Sequence, residues 1–176
     1  MNWEERDRLV AALRERGVDY LAPGDAEGAA MDERALMEAL AGHEDPRLRQ
    51  ALIALFLVQP QLAPLVASLR PTLPEPAATE LVAHYMAAVY LQSMWLTRLG
   101  HYQSPVAPLP DYFSQSLGLP HPDDLYGKAG LHALADWHAA HTAERGNHLS
   151  EYAGVFSLII ERIKSRARRH VAAARG

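Results

Sequence analysis

One stretch constrains the fold of this chain more than any other: Glu75–Leu99, EPAATELVAHYMAAVYLQSMWLTRL. Pro76 suits the first turn of a helix, where its missing N–H would be unpaired in any case, and Gly100 follows where a left-handed C-terminal cap belongs. Between them apolar residues recur at helical spacing on most of the circumference: Leu81, Val82, Tyr85, Met86, Val89, Leu91, Trp95, Leu96 and Leu99. A helix that is apolar on most sides is buried by several neighbours, so we expect this one to be the central helix of one core.

The rest of the chain also shows helical rather than strand periodicity. Asp32 and Asp45 are placed to cap the N-termini of helices, and Pro46 takes the first position of the second one. Further helices are predicted over residues 3–16, 61–69, 111–117 and 128–144, and from Asn147 or Ser150 onward. The sequence therefore predicts an all-α fold, a single-domain bundle of about seven helices spanning residues 1–176.

Composition excludes several classes of site. Because the chain has no cysteine, it can form no disulfide, thiolate metal site or cysteine nucleophile. The start, MNWEERDRLV, lacks the apolar run of a signal peptide, and the longest apolar run, Ala51–Val58, is far too short to span a membrane. We expect a soluble, cytoplasmic protein, and no sequence feature calls for a cofactor.

Nine histidines raise the question of a metal site or a hydrolase. His138 and His141 lie three residues apart, His132 lies four before Asp136, and His148 follows in the next connection. Imidazole groups suit zinc, but a helical H-E-x-x-H motif is absent. The alternative is an exposed helix carrying polar residues. No metal site and no catalytic residue is predicted, since the sequence also lacks a Gly-rich phosphate loop and a G-x-S-x-G motif.

The last fifteen residues carry six Arg or Lys and no Asp or Glu. Such a run can follow a phosphate backbone, through Arg162, Lys164, Arg166, Arg168 and Arg169. Cations also suit a helix C-terminus without any ligand, and no aromatic residue alternates with them along the sequence. A solvated face and an acidic protein partner are the alternatives. HEPN-type ribonucleases separate Arg and His by four to six residues, a spacing that the Arg–His pairs here do not match.

The segment His101–Gly127, termed the Pro-rich segment, holds five of the twelve prolines. Loops of this length inside a compact domain are usually functional or part of an interface. Tyr112, Phe113 and Leu117 lie beside prolines, and aromatic and apolar side chains on a rigid loop are good interface anchors. We predict that they contact a protein partner, the alternative being that they cover the protein's own core.

Polar residues interrupt the central helix, among them His84, Gln92 and Arg98. A buried polar group without a partner costs about 1–3 kcal/mol, so each must be paired or face a gap. Arg98 lies in the last turn and is expected to be structural. His84 and Gln92 are eight residues apart with Ala88 between them, so they either hold the packing register or line a polar pocket.

Four strings carry a family resemblance: DPRLRQALIALFL, AAVYLQSMW, LPDYFSQSLGLP and GLHALA. They resemble a group of small, uncharacterised helical bacterial proteins encoded beside nucleotidyltransferase-fold proteins, over about half of the chain, Asp45–Ala135. The resemblance implies a partner protein and a role as one half of a toxin–antitoxin-like pair, and it supplies no catalytic residues. The expected function is thus non-enzymatic binding of another protein or of a second copy, with nucleic-acid binding through the basic tail and a helical hydrolase or ribonuclease as alternatives.

Overall fold

A computed structural model describes residues 3–22, 31–102, 106–143 and 146–173, with side chains to residue 169. These residues form helices and no strand, which confirms the all-α prediction with one helix more than expected. The α-helices are α1 (Trp3–Glu15), α2 (Glu33–Ala41), α3 (Pro46–Val58), α4 (Ala63–Leu69), α5 (Glu75–Tyr102), α6 (Ser114–Leu117), α7 (Lys128–His141) and α8 (His148–Ala173). Short 3-10 turns occupy Pro60–Leu62, Arg70–Thr72 and Asp124–Gly127.

Local sequence signals set several of these helix ends. The Asp32 side chain accepts a hydrogen bond from the Ala35 N–H at 2.8 Å, and Asp45 accepts one from the Arg47 N–H at 2.9 Å, with Pro46 first in α3. Each carboxylate satisfies an amide that the first turn leaves unpaired. The predicted caps of α2 and α3 are therefore confirmed.

Several predicted helix boundaries are wrong, among them the end of α7, which lies at His141 instead of residue 144. The central helix does not end at Gly100 but continues to Tyr102. It is bent within its length at Trp95, whose φ of −121° and ψ of 18° are not helical. The helix predicted over 111–117 begins only at Ser114. Asp111 uses its carboxylate to accept the Ser114 N–H at 2.9 Å, so it lies before the helix instead of inside it.

The core is built around α5, as the sequence predicts. Every residue from Glu80 to Gln92 is buried, and α5 packs against α3, α7 and α8. The edge of the Phe56 ring from α3 meets the face of Tyr85 with ring centroids 5.0 Å apart. None of the described helices is by itself long and apolar enough to cross a membrane; only the bent pair Pro46–Val58 and Pro60–Thr72, with 107° between its halves, has the length and composition.

Two glycines allow α7 and the turn before it to approach α5 closely. A Cβ at Gly130 would lie 2.0 Å from Cε1 of the buried Tyr90 ring. A Cβ at Gly127 would lie 2.6 Å from the Tyr90 carbonyl oxygen, and Gly127 also has a φ of 80°. Any larger residue at either position would have to displace α5, so these contacts fix how α7 lies on the central helix.

Candidate functional site

A group of polar side chains is buried between α3, α5, α7 and α8, and we call it the polar cluster. Its members are Arg49, Glu80, His84, His138, His148 and Tyr152. Charged and imidazole groups are seldom buried unless they are paired. Their contacts with one another are therefore the first place to look for chemistry.

Glu80 is the centre of the polar cluster. One carboxylate oxygen, Oε2, lies 3.2 Å from the Arg49 Nε and 3.5 Å from Nδ1 of His84, and the other, Oε1, lies 3.2 Å from Nε2 of His138. Arg49 also donates through Nη1 to the carbonyl oxygen of His43 at 2.6 Å. The carboxylate thus joins side chains from α3, α5 and α7, which gives the cluster a structural role in holding these helices together.

A chain of hydrogen bonds continues from Glu80 through α7 to α8. The Tyr152 hydroxyl lies 2.6 Å from Nδ1 of His138, and burial raises the pKa of Tyr152 well above its usual value. Tyr152 therefore stays protonated and donates to Nδ1, so that the imidazole N–H is on Nε2 and donates to Glu80. The His148 ring stacks on His138 with centroids 4.1 Å apart, and its Nδ1 lies 3.1 Å from a carboxylate oxygen of Glu151.

Two groups of the polar cluster, Glu80 and His84, have pKa values that do not suit general acid–base catalysis at neutral pH. Burial would raise the pKa of Glu80, but the hydrogen bond from His138 and the charges of His84, His138 and Arg49 lower it to about 2. Burial lowers the pKa of His84 to about 4. Both values lie far from pH 7, where a general base works best. Within the described residues, no group of three or more His, Asp or Glu is placed to hold a metal ion.

A surface cavity of about 690 Å³ opens above the Arg49–Glu80 ion pair. Its rim comes from the end of α2, the start of α5 and the end of α7, including Glu44, Glu75 and His141. Glu80 and Arg49 are both buried at its edge and engaged with each other. The cavity therefore borders a buried ion pair, while exposed titratable side chains lie on its rim.

The Pro-rich segment is pinned along α5 by side-chain hydrogen bonds. The hydroxyls of Tyr85, Tyr90 and Ser93 donate to the carbonyl oxygens of Pro110, Pro120 and Pro122 at 2.6, 2.8 and 2.8 Å. Gln92 makes two bonds: its Nε2 donates to the Ala107 carbonyl at 3.0 Å, and its Oε1 accepts from the Leu109 N–H at 2.7 Å. Residues 106–122 therefore lie in one fixed path, although they contain little secondary structure.

The end of the Pro-rich segment exposes two large apolar side chains, and we call Asp124–Gly127 the tip. Leu125 is 72% exposed and Tyr126 is 81% exposed. Both have left-handed backbones, with φ of 48° and 56°, which non-glycine residues seldom adopt. Exposed apolar residues in a strained conformation are typical of binding sites. The tip therefore presents two large apolar side chains to solvent on a strained backbone.

The three predicted partner contacts lie earlier in the same segment and are less exposed. Tyr112 is the most exposed of them and stacks on Tyr85, with ring centroids 5.7 Å apart. Phe113 meets the Tyr85 ring edge-on at 6.0 Å, and Leu117 is partly buried against the core. Tyr112 remains available to a partner, whereas Phe113 and Leu117 present only part of their surface.

The five cations of the basic tail divide into three sets around α8. Arg166 lies 3.0 Å from a carboxylate oxygen of Asp19 and donates to the Gly17 carbonyl at 2.8 Å, with Arg162 4.0 Å from the same Asp19. Lys164 instead lies 2.6 Å from Glu161. The remaining two, Arg168 and Arg169, are exposed. Part of the tail thus serves to hold α8 against the turn after α1.

The structure does not bring His84 and Gln92 of the central helix to one place. His84 donates from Nδ1 to the Glu80 carbonyl at 2.7 Å and belongs to the polar cluster, whereas Gln92 holds the Pro-rich segment. Both are paired, and Ala88 between them is fully buried. A pocket shared by His84 and Gln92 stays a prediction.

Sequence analysis overlooked the tip and the Glu80 side of the polar cluster. The spacing of Glu80 and His84, four apart on the most buried helix, was a signal for the cluster. The tip left no such signal, since Leu125 and Tyr126 before a glycine look like ordinary core residues.

Comparison with known proteins finds no matching family model, no similar curated protein and no similar solved structure.

Proposed function

We propose that this chain is a non-enzymatic protein-binding module whose main contact surface is the tip of the Pro-rich segment. The observation that carries the proposal is the exposure of Leu125 and Tyr126 in left-handed conformations on a pinned segment. Tyrosine and large apolar side chains supply most of the binding energy in protein interfaces.

The strained backbone supports a binding role. Holding a non-glycine residue in the left-handed region costs roughly 1–2 kcal/mol, and two successive residues do so here. Neither side chain repays that cost inside the protein, because both lie largely in solvent. Strain of this kind persists where a function requires the conformation.

The way the segment is held also favours binding. Ser93 anchors the Pro122 carbonyl at 2.8 Å just before the tip, and Gly127 lies against the Tyr90 backbone just after it. A loop fixed at both ends loses little conformational entropy when a partner binds it. Tyr112, also exposed and stacked on Tyr85, supplies a second anchor on the same segment.

The family resemblance supports a specific first candidate for the partner. It implies a two-protein system in which the neighbouring gene encodes a nucleotidyltransferase-fold protein and this chain is the antitoxin-like half. The direct test is to express the chain together with the product of its neighbouring gene and to measure the mass of the complex. We expect a stoichiometric complex that is stable through gel filtration.

A pair of opposite effects at Tyr126 tests the contact surface. Tyr126→Gly removes the side chain and relieves the left-handed strain, so we expect the melting temperature to rise by roughly 2–4 °C while partner binding is lost. A photo-reactive amino acid at position 126 should form an adduct with the partner. The same amino acid at Ser68, exposed on α4, is the control and should form none.

Two outcomes would contradict the proposal. One is a Tyr126→Gly variant that binds the partner as tightly as the unaltered protein. The other is crosslinking at position 68 that equals crosslinking at 126, which would show unspecific contact.

A further inference from the structure

The kink of α5 places an aromatic ring beside the basic part of α8. Trp95, at the kink, is 37% exposed and stacks on Phe156 of α8 with ring centroids 5.6 Å apart and 17° between the planes. The Arg98 guanidinium lies over the Trp95 ring, 5.5 Å from its centroid. The aromatic residue that the basic tail lacks in sequence is therefore supplied by another helix.

Besides Arg98, which lies on the ring, two further cations lie on α8 near Glu161. Lys164 hydrogen-bonds to Glu161 at 2.6 Å and lowers the pKa of that carboxyl group, and the nearby charges of Arg98 and Arg168 lower it further. Three cations thus lie within electrostatic reach of one exposed carboxylate, which leaves a local excess of positive charge. Among the described residues, Arg168 has no hydrogen-bonded partner. The Arg98 guanidinium contacts the Trp95 ring and interacts electrostatically with Glu161.

We propose that this surface binds single-stranded nucleic acid. We call it the Trp95 patch, and it consists of Trp95, Leu96, Arg98, Lys164 and Arg168. An unpaired base stacks on the outer face of the Arg98 guanidinium, which lies on the Trp95 ring, and the adjoining phosphates contact Lys164 and Arg168. Aromatic rings and guanidinium planes are the usual stacking partners of unstacked bases, and flanking cations hold the backbone.

The composition of the patch favours a single strand over a duplex. Duplex binding depends on many phosphate contacts, whereas the other cations of α8 are engaged elsewhere: Arg162 and Arg166 both face Asp19. A duplex also presents no free base face to the Arg98 guanidinium, because its bases are stacked on one another. An acidic peptide would satisfy the cations but would leave the outer face of the guanidinium without a stacking partner.

The test measures binding of a fluorescently labelled oligo-dT of about fifteen nucleotides by anisotropy, across salt concentrations from about 50 to 200 mM. Trp95→Leu should weaken binding about tenfold or more, because it removes the ring that holds the Arg98 plane in place, and it should leave the salt dependence unchanged, because the number of cations stays the same. Arg168→Gln should make the log–log salt slope shallower by about 0.7, the value for one lost contact to single-stranded phosphate. Trp95→Phe, which keeps an aromatic face, should retain most of the affinity.

Two matched variants on α1 serve as controls. Trp3→Leu removes another exposed tryptophan, and Arg8→Gln removes another exposed arginine. Both should bind oligo-dT like the unaltered protein. If Trp95→Leu loses its helical circular dichroism, the test rests on the other two variants. Trp95→Phe should keep most of the affinity, and Arg168→Gln, which alters an exposed residue outside the core, should make the salt slope shallower.

Several results would overturn the proposal. They are the absence of binding at the lowest salt concentration, equal affinity for a duplex of the same length, and equal affinity of Trp95→Leu and the unaltered protein. Competition by polyglutamate as effective as competition by oligo-dT would show a surface for acidic proteins instead.

Discussion

Acidification tests the polar cluster most directly, because it asks whether His84 is buried without a charge. Burial lowers the pKa of His84 from 6.5 to about 4, against the charge of Glu80, which favours protonation. Between these two pH values the unfolded chain binds a proton at His84 that the folded chain does not bind. The free energy of unfolding therefore falls as the pH falls through this window. A shift of about 2.5 pKa units at about 1.36 kcal/mol per unit amounts to a loss of about 3 kcal/mol at pH 4.

Glu80 adds a second, more acidic stage. Its pKa is lowered from 4.5 to about 2, so the folded chain keeps this carboxylate ionised where the unfolded chain protonates it. Its contribution to stability is complete above pH 4.5 and is lost as the pH falls toward 2. Solvent at the mouth of the cavity screens this carboxylate, so the contribution of Glu80 to the free energy of unfolding is smaller than the size of its pKa shift alone implies.

The assay is urea unfolding followed by circular dichroism at a series of pH values from 7 to 4. His84→Gln keeps a polar side chain but removes the titration, so its unfolding free energy should fall less steeply with acidification, by up to about 1.36 kcal/mol per pH unit. His132→Gln, which removes an exposed histidine of α7, should leave the slope unchanged. A His84→Gln variant with the same slope as the unaltered protein would refute the assignment of a buried, neutral His84.

Four further substitutions test the packing and the buried ion pair. Gly130→Ala places a Cβ about 2.0 Å from the buried Tyr90 ring and should lower the free energy of unfolding by about 1–3 kcal/mol, measured by thermal unfolding. Gly154→Ala, whose Cβ would have no atom within 4 Å, should stabilise α8 by up to about 1 kcal/mol. Stability changes of the same sign in the two variants would contradict the close approach of α7 to α5. Gln92→Leu removes both amide bonds to the Pro-rich segment, so limited proteolysis of residues 106–122 should become faster while the helical circular dichroism is kept; an unchanged cleavage rate would show that these bonds do not hold the segment. Glu80→Gln leaves a buried guanidinium opposite a neutral amide and should cost about 3–5 kcal/mol in urea unfolding; a cost below about 1 kcal/mol would mean that solvent already screens the pair.

The helices and most of their ends follow from local sequence. Asp32 caps α2 and Asp45 with Pro46 starts α3 because a cap needs only a side chain a few bonds away from the amide that it satisfies. The burial of α5 was predictable because its apolar residues occupy most of its circumference. The bend at Trp95 was not predictable, since Gly100 is the stronger local signal for a helix end and tertiary packing overrides it.

Contacts between distant residues were decided by the tertiary structure alone. Glu80 and His138 are 58 residues apart and meet only because α7 packs against α5 through Gly130. Trp95 reaches the basic part of α8 for a similar reason, through its stacking on Phe156. No local periodicity encodes such pairs.

The tip shows the same division on the surface. Its sequence predicts only that it lies at the end of a long loop, and Gly127 accepts the positive φ that closes this loop. Whether Leu125 and Tyr126 would be buried or exposed was left open by the sequence. Exposure was decided by the anchoring of Pro122 to Ser93 and of Gly127 to the Tyr90 backbone, which hold the segment so that these two side chains extend into solvent. The sequence by itself thus determines where helices and turns begin, which depends on neighbours along the chain, while the tertiary structure determines which side chains meet or remain exposed, which depends on how the helices pack.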